Sequence, residues 1–376
     1  MAFLPYGRQV IEDDDIAAVA EALRSDYLTT GPKVAEFEAA FAEAVGASHT
    51  VACNSGTAAL HLAMLAIGAG QGDVAIVPSI TFLATANAAR YCGAEVVFAD
   101  VDPITGLMTE ASLMDAFSKA VSRGKLKAIL PVHLAGRMVD TGPMAALVRQ
   151  FGGHVIADAC HALGSTLNGL TPAQSAEMAC YSFHPVKTMT TGEGGMVTMP
   201  DSGAAERAKL YRSHGMIRGG DVAHYDMVDL GFNFRIPDIL CALGLSQLKK
   251  LDRFVARRRE IARLYDAKLP GLSPHLQTCP SRADEALHLY TVLIDFKALG
   301  HERTAVMEQL RQAGIGTQVH YIPVHLQPYY AGRYGVERLP GAEAWHEKTL
   351  SLPIFPAMSD GDVDRVVEAL EKALRP

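Results

Sequence analysis

The sequence lacks paired cysteines, long apolar runs and a strong excess of either charge. Its six cysteines lie in apolar stretches without a CxxC pair, which favours reduced, buried thiols over disulfides or a zinc site. No window offers the roughly 18 apolar residues that a membrane span needs, and the first residues lack an export signal. We therefore expect a cytoplasmic protein with no membrane partner and no metal site.

The net charge of −7 is modest, and the basic residues are dispersed except around one segment. There, Arg257, Arg258 and Arg259 follow Lys249 and Lys250, and apolar residues recur between them at helical spacing. This pattern predicts the solvated face of an amphipathic helix. Nucleic acid is therefore not an expected partner.

Short apolar runs alternate with helical segments through the first 250 residues. Such alternation predicts a mostly parallel sheet that is covered by helices on both faces, a three-layer α/β domain. The predicted strands are residues 49–53, 74–77, 96–98, 128–132, 155–157, 179–183 and 195–198, and the predicted crossover helices are residues 58–67, 85–91, 110–121 and 143–151.

The remainder of the chain has a different pattern, which predicts a smaller α+β domain. A long helix is expected from Pro237, in its first turn, to about residue 266, leading into this second domain. We place the large domain at residues 1–248 and the small domain at residues 249–376. Within the latter we expect strands at residues 289–294 and 317–319, with helices at residues 302–313 and from residue 360.

Lys187 differs from the other lysines in its surroundings. It follows an apolar strand and precedes a glycine-rich stretch, residues 188–195, which places it on a turn at a strand end. Ligand crevices of α/β sheets open at strand ends, and a lysine that attacks a carbonyl carbon needs a dry pocket to lower its pKa. Taken alone, this pattern fits a surface lysine as well as a catalytic one.

A second apolar strand delivers a carboxylate at Asp158. A carboxylate can keep a pyridinium nitrogen protonated, so that the ring of pyridoxal phosphate (PLP) acts as an electron sink. The alternative is that Asp158 caps a following helix. His161, three residues further on, could orient Asp158 or contact a ring hydroxyl, or it could be a packed core residue.

Ser55, Gly56 and Thr57 lie between a strand and an alanine-rich helix. Free backbone N–H groups at such a helix start can hold a phosphate, although these residues also make a good N-cap without any ligand. The glycines at residues 68–72 follow a helix and do not fit the spacing of a dinucleotide loop. No nucleotide-hydrolysis or metal-binding motif supports another chemistry.

Five segments, taken together, resemble the DegT/DnrJ/EryC1/StrS sugar aminotransferases. They are residues 55–61 (SGTAALH), 81–88 (TFLATANA), 158–164 (DACHALG), 182–187 (SFHPVK) and 231–235 (GFNFR). The resemblance spans nearly the whole chain, and its specificity comes from the joint order and spacing of the five segments. It implies the aspartate-aminotransferase-like fold of PLP-dependent transferases, fold type I, and a homodimer with composite active sites.

The resemblance also implies roles for individual residues. Lys187 would bind pyridoxal 5'-phosphate covalently and then carry a proton between the substrate and the cofactor. Asp158 would pair with the pyridine nitrogen, His161 would lie near the ring oxygen, and Phe82 would stack on the ring, although its position alone suggests a core residue. The phosphate would be held by Gly56, Thr57 and Ser182 of one subunit and by Asn233 of the other.

Within the family, residues 183–195, 212–215 and 320–325 look closest to the pseudaminic-acid branch. Members there move an amino group from glutamate to C4 of a UDP-linked 4-keto-6-deoxy-N-acetylhexosamine. Alternatives are another 4-keto or 3-keto sugar linked to GDP, dTDP or UDP, and a regulator that binds PLP or sugar without turnover. The implied substrate residues are Thr29, Gly31, His320, Tyr321 and His325, with Arg235 for the donor carboxylate.

Overall fold

A seven-stranded sheet forms the centre of the computed structural model, which describes residues 2–218 and 224–375. Its strands are β1 (His49–Cys53), β2 (Asp73–Pro78), β3 (Glu95–Ala99), β4 (Lys125–Ile129), β5 (His154–Asp158), β6 (Met178–Ser182) and β7 (Gly195–Met199), in the order β1-β7-β6-β5-β4-β2-β3. β7 runs antiparallel to β1 and β6, whereas the other neighbouring strands are parallel. The carboxyl ends of the other six strands therefore share one edge of the sheet.

Helices cover both faces of this sheet. In β2, Ala75 and Val77 belong to the core on one face, while Val74 and Ile76 belong to the core on the other. This alternation follows from the period of two in a strand, and it confirms the predicted three-layer α/β fold. The helices are α1 (Asp13–Arg24), α2 (Pro32–Val45), α3 (Gly56–Ala66), α4 (Leu83–Tyr91), α5 (Glu110–Arg123), α6 (Thr141–Arg149), α7 (Pro172–Ser175) and α8 (Ser202–Arg212).

The predicted strands of the large sheet match the structure closely, with one clear shift. β4 begins at Lys125 and ends at Ile129, three residues earlier than the predicted strand at both ends. The predicted strand contained Pro131, which has no backbone N–H to contribute to a strand ladder. The parallel pairing of β4 with β2 and β5 instead uses residues before this proline.

The carboxyl-terminal part contains a three-stranded antiparallel sheet with helices packed against it. Its core also includes Leu4, whose N–H donates to the carbonyl of Gly314. The predicted domain boundary at residues 248/249 stays a prediction. The remaining elements are β8 (Met216–Arg218), β9 (Tyr225–Met227), α9 (Asp238–Leu248), α10 (Leu251–Lys268), β10 (Leu276–Thr278), β11 (Tyr290–Ile294), α11 (Phe296–Leu299), α12 (Arg303–Gln312), α13 (Pro328–Tyr334), α14 (Pro340–Lys348), β12 (Thr349–Leu352) and α15 (Asp360–Ala373).

Two secondary-structure predictions in the second half of the chain are wrong. The long helix expected from Pro237 is divided into α9 and α10, because α9 packs against α1 and α2 while α10 packs against α15. The strand expected at residues 317–319 is reduced to a single bridge between Gln318 and Ser351. β12, which the sequence pattern did not reveal, provides the third strand beside β11.

The prediction that the basic segment is a solvated helix face is wrong for two of its residues. The side chain of Lys250 is buried and forms ion pairs with Asp14 and Asp15, which fixes α1 beside the start of α10. Arg258 is fully buried.

None of the helices in the described ranges combines the length and the apolar character that crossing a membrane requires.

Glu95 ties α13 to the start of β3. Its carboxylate accepts hydrogen bonds from the Arg333 guanidinium, at 2.6 and 3.1 Å, and from the Tyr334 hydroxyl, at 2.7 Å. The Arg333 hydrogen bonds hold the pKa of Glu95 at about 2, below its ordinary value of 4.5. The stabilisation is thus fully present above pH 4.5 and is lost as the pH falls toward 2.

We therefore predict that Glu95→Gln lowers the free energy of unfolding at pH 7 by about 1 kcal/mol. The difference from the unmodified protein should shrink as the pH falls below 4.5. Urea unfolding at a series of pH values measures both effects. Glu206→Gln, which removes an exposed pair with Lys209, serves as the control, and an equal loss in both variants would contradict the prediction.

Candidate active site

A cleft of about 610 Å³ opens at the sheet edge where the parallel strands end. Residues that follow four different strands reach it: Gly56 after β1, Phe82 after β2, Asp158 at the end of β5, and Lys187 after β6. Topology explains this convergence, because parallel strands bring their carboxyl ends to one edge. Residues far apart in the sequence therefore share one cavity.

The start of α3 forms one wall of the cleft. The Ser55 hydroxyl caps the helix by accepting the N–H of Ala58 at 3.1 Å. The N–H groups at a helix start have no partner within the helix, so those of Gly56 and Thr57 are available to a ligand. The positive end of the helix dipole adds to the attraction for an anion.

Gly56 permits a close approach between α3 and the sheet. A Cβ atom at this position would lie 2.8 Å from Ser182 Cβ and 3.1 Å from Cys160 Sγ. A side chain at Gly195 would likewise meet the Ser55 carbonyl oxygen at 2.3 Å. These two glycines thus bring the free N–H groups of α3 beside the Ser182 hydroxyl.

Asp158 presents a buried carboxylate at the floor of the cleft. One oxygen accepts the Thr85 hydroxyl at 2.6 Å, and the other accepts the N–H of Cys160 at 3.1 Å. Thr85 in turn lies 2.7 Å from the hydroxyl of Thr81, which orients it as a donor to Asp158. In the described part of the chain no cation forms an ion pair with Asp158. A buried carboxylate held in this way favours a positively charged ligand group.

Lys187 lies on a tight turn, in which its N–H donates to the carbonyl of His184 at 2.9 Å. Burial lowers the pKa of its amine below the ordinary value of 10.5, while the negative charge of Asp158 acts in the opposite direction. A larger fraction of the lysine is therefore neutral at physiological pH than in water. Only the neutral amine can attack a carbonyl carbon.

His161 orients the hydroxyl of Tyr321. Its Nδ1 accepts the N–H of Ala135 at 3.3 Å, and burial lowers the pKa of the ring well below its ordinary value. The neutral ring must then carry its hydrogen on Nε2, which lies 3.2 Å from the Tyr321 hydroxyl. The Tyr321 oxygen accepts this hydrogen, so its own proton is free to be donated into the cleft.

Phe82 borders the cleft, and its large apolar side chain is 56% exposed. Its ring centroid lies 6.1 Å from that of Tyr321. Exposure of a large aromatic side chain inside a cavity provides a flat apolar surface for a ring. The position is thus compatible with stacking and not with the core packing that the sequence also allowed.

The structure brings most of the predicted site residues together, but not all of them. Asn233 is exposed and lies beside Asn54, whose side chain donates to its carbonyl oxygen at 3.4 Å. His325 is buried, with Nδ1 2.6 Å from the Ser79 hydroxyl. The cleft includes Gly56, Thr57, Phe82, Asp158, His161, Ser182, Lys187, His320 and Tyr321, and it does not include Thr29, Gly31, Asn233, Arg235 or His325.

Several lining residues were not among the predicted site residues, and Tyr6, His184 and Glu193 are three of them. Tyr6 reaches the cleft from the amino-terminal segment and contacts the His320 ring at a centroid distance of 5.6 Å. His184 and Glu193 flank the lysine turn and are exposed at the mouth of the cleft. The segment around Lys187 contains both, but spacing alone does not show which side chains face inward. Tyr6 lies far from any motif, so only the fold reveals it.

Comparisons with known proteins agree with this geometry. A profile of the DegT/DnrJ/EryC1/StrS aminotransferase family matches residues 9–371. The chain is 38% identical to the spore coat polysaccharide biosynthesis protein SpsC of Bacillus subtilis, over 99% of this chain and 97% of the relative.

Solved structures show the same similarity. Helicobacter pylori PseC, an aminotransferase involved in the biosynthesis of pseudoaminic acid, superposes with a TM-score of 0.92 at 31% identity, over 99% of both chains. Spr1654 of Streptococcus pneumoniae, solved in a PLP form and a PMP form, superposes with a TM-score of 0.91 at 29% identity, over 99% of this chain and 98% of that one.

The groups in the cleft fit pyridoxal phosphate. Its phosphate needs N–H and hydroxyl donors, which the start of α3 and Ser182 supply. Its ring nitrogen needs an acid partner, and Asp158 is a buried carboxylate without a cation in the described structure. Its aldehyde carbon needs an amine, which Lys187 supplies in the same cavity.

We predict that Gly56→Ala weakens the binding of pyridoxal phosphate by roughly tenfold, because the added methyl group must push α3 away from Ser182. Titration of the cofactor-free protein, followed by absorbance, measures the affinity. Gly70→Ala is the matched control, since a Cβ there meets nothing within 4 Å. Equal affinities in the two folded variants would refute the role assigned to this close approach.

Proposed function

Because the chain belongs to the DegT/DnrJ/EryC1/StrS aminotransferase family, we propose that it moves an amino group from glutamate to C4 of a UDP-linked 4-keto-6-deoxy-N-acetylhexosamine. The coarser activity, that of a PLP-dependent sugar aminotransferase, follows from the family and its solved members. The cleft that combines Lys187 and Asp158 with the start of α3 carries the coarser activity, and the similarity to PseC supports the finer proposal.

When bound, pyridoxal phosphate supplies an electron sink for the carbon that loses or gains the amino group. We assign to Lys187 both the covalent attachment of the cofactor and the transfer of a proton at Nζ, because burial lowers the pKa of its amine. Asp158 would keep the ring nitrogen protonated, and Thr85 and the N–H of Cys160 hold the carboxylate in place.

The remaining groups bind and orient. The N–H groups of Gly56 and Thr57 and the hydroxyl of Ser182 would hold the phosphate, and Phe82 would pack against the ring face; all four residues line the cleft. Tyr321, oriented by His161, donates a hydrogen bond to an oxygen of the bound ligands. His320 lines the sugar side of the cleft and is itself fixed by the Ser351 hydroxyl at 2.8 Å.

Two relatives bear on the identity of the sugar. Similarity to PseC over 99% of the chain supports the pseudaminic-acid type of substrate. SpsC is similar over the same share and belongs to spore coat polysaccharide biosynthesis, which favours the second candidate, a different 4-keto nucleotide sugar. Both candidate substrates would receive the amino group in the same cleft, and they would differ in the residues that contact the sugar.

We further propose a homodimer in which each cleft is completed by the partner subunit. Asn233 and Thr29 are exposed and lie outside the cleft of their own chain. Leu230, three residues before Asn233, is 72% exposed, and Met227 and Val228 are exposed beside it. An apolar surface of this kind, next to polar residues that lie outside their own subunit's cleft, is typical of an interface.

The substrate assignment predicts that the purified protein is yellow, loses its colour with glutamate and regains it with the UDP-linked 4-keto-6-deoxy-N-acetylhexosamine. Mass spectrometry should then show a 4-amino sugar nucleotide. A panel of GDP-, dTDP- and UDP-linked keto sugars identifies the preferred substrate through kcat/KM. Preference for another member of the panel would replace the first candidate with the second.

Lys187→Ala provides the internal control for this experiment. The variant should fold, because the turn is held by backbone hydrogen bonds and not by the lysine amine. It should lose turnover with every substrate of the panel, by roughly a factor of a thousand or more. A folded variant that keeps its turnover would show that another group attaches the cofactor.

The shared site predicts that Asn233→Ala weakens cofactor binding by roughly tenfold, through loss of a hydrogen bond to a charged phosphate. Gln309→Ala, an exposed amide on α12, is the control. Co-expression of the Asn233→Ala and Lys187→Ala chains sharpens the test. Hybrid dimers should regain one intact site, whereas sites built from a single chain would regain none.

A further inference from the structure

Arg258 is the one arginine in the described structure whose side chain is fully buried. It extends from α10 to the junction between the three-stranded sheet and the lysine turn. Nη1 donates to the carbonyl oxygens of Ile354, His288 and Leu287, at 2.9, 3.2 and 3.4 Å, and Nη2 donates to the carbonyl oxygen of Lys187 at 3.4 Å. The guanidinium thus joins three segments through their backbones.

No acidic side chain within residues 2–218 and 224–375 forms an ion pair with Arg258, and its Nε has no hydrogen-bond partner there. Burial lowers the pKa of this guanidinium to about 10, which still leaves it charged at neutral pH. A buried charge without a counterion destabilises a protein unless carbonyl groups surround it. An apolar side chain could fill the same space without that cost, so a role in packing alone does not account for an arginine here.

The position of Arg258 beside Lys187 explains why an arginine is found here. Its fork of donors can hold the Lys187 carbonyl and the Ile354 carbonyl at the same time, which a single ammonium group cannot do. Its positive charge also lowers the pKa of the Lys187 amine, in addition to the larger effect of burial. Both effects act on the residue to which we assigned attachment of the cofactor.

We propose that Arg258 is a positioning residue for Lys187, because its guanidinium anchors the lysine turn to the segment before β11 and to the segment after β12. The proposal rests on the role of Lys187 in the proposed function. Other groups around the amine act in known directions. Asp158 and Cys160 favour the charged amine, whereas His161, His288 and His320 are neutral, because burial lowers the pKa of each ring.

The test uses the cofactor-free protein and two variants that separate the two effects. Arg258→Lys keeps the charge but loses the fork, and Arg258→Gln loses both. Competitive acylation of Lys187 at a series of pH values, read by mass spectrometry, reports the neutral fraction of the amine. Stopped-flow absorbance after addition of pyridoxal phosphate reports how fast Lys187 reacts. Arg263→Gln, an exposed arginine on the same helix, is the matched control.

We expect acylation of Lys187 at pH 8 to fall by roughly threefold or more in Arg258→Gln and to stay unchanged in Arg258→Lys and Arg263→Gln. The reaction with pyridoxal phosphate should slow by roughly tenfold in both Arg258 variants. Changes in melting temperature alone, with unchanged acylation and reaction rates, would overturn the proposal.

If Arg258→Gln does not fold, the reaction rate of Arg258→Lys with pyridoxal phosphate tests the proposal. A slowed rate in this folded variant would support the proposal, and an unchanged rate would overturn it. Neither measurement uses glutamate or a sugar. A wrong substrate assignment therefore leaves this test intact, and a failure here leaves the substrate assignment intact.

Discussion

The cleft depends on one close approach, in which the start of α3 lies against the end of β6 and the start of β7. Gly56 and Gly195 make it possible, because a Cβ atom at either position would meet atoms of the opposite segment at less than 3.0 Å. This approach places the free N–H groups of the helix beside Ser182, at the end of the strand that leads to Lys187. The anion-binding wall and the reactive amine are thus fixed relative to each other by backbone packing, and the side chains only complete the site.

Much of this could be predicted from the sequence, because the relevant signals are local. Apolar runs of strand length located all seven strands of the large sheet, and five motifs located the lysine, the carboxylate and the helix start. Features that depend on tertiary contacts could not be predicted from local patterns. Lys250 and Arg258 have the spacing of a solvated face, and their burial follows from carboxylates and carbonyls contributed by distant segments. Tyr6 reaches the cleft only because Leu4 pairs with residues more than 300 positions away.

The residues that fall outside the cleft have a common feature. Thr29 and Asn233 are exposed polar residues close to apolar side chains that are also exposed, such as Leu28 and Leu230. Both residues lie outside the cleft of their own chain, whereas a second copy would cover the apolar surface and bring its polar residues to a cleft. His325 is different, because its hydrogen bond to Ser79 and its burial give it a structural role within one chain. The proposed sharing of sites thus applies to Thr29 and Asn233 and not to His325.

The chemistry assigned to Lys187 sets two opposing requirements on its amine. The amine must be neutral to attack a carbonyl carbon, yet it must also accept a proton during transfer, so its proton affinity has to be intermediate. Burial lowers the pKa of Lys187, and Arg258 acts in the same direction, while Asp158 raises it. Burial and Arg258 thus favour the neutral amine, whereas Cys160 and Asp158 favour the charged one. The carboxylate proposed to pair with the ring nitrogen and the arginine proposed to anchor the turn therefore act in opposite directions on the lysine amine.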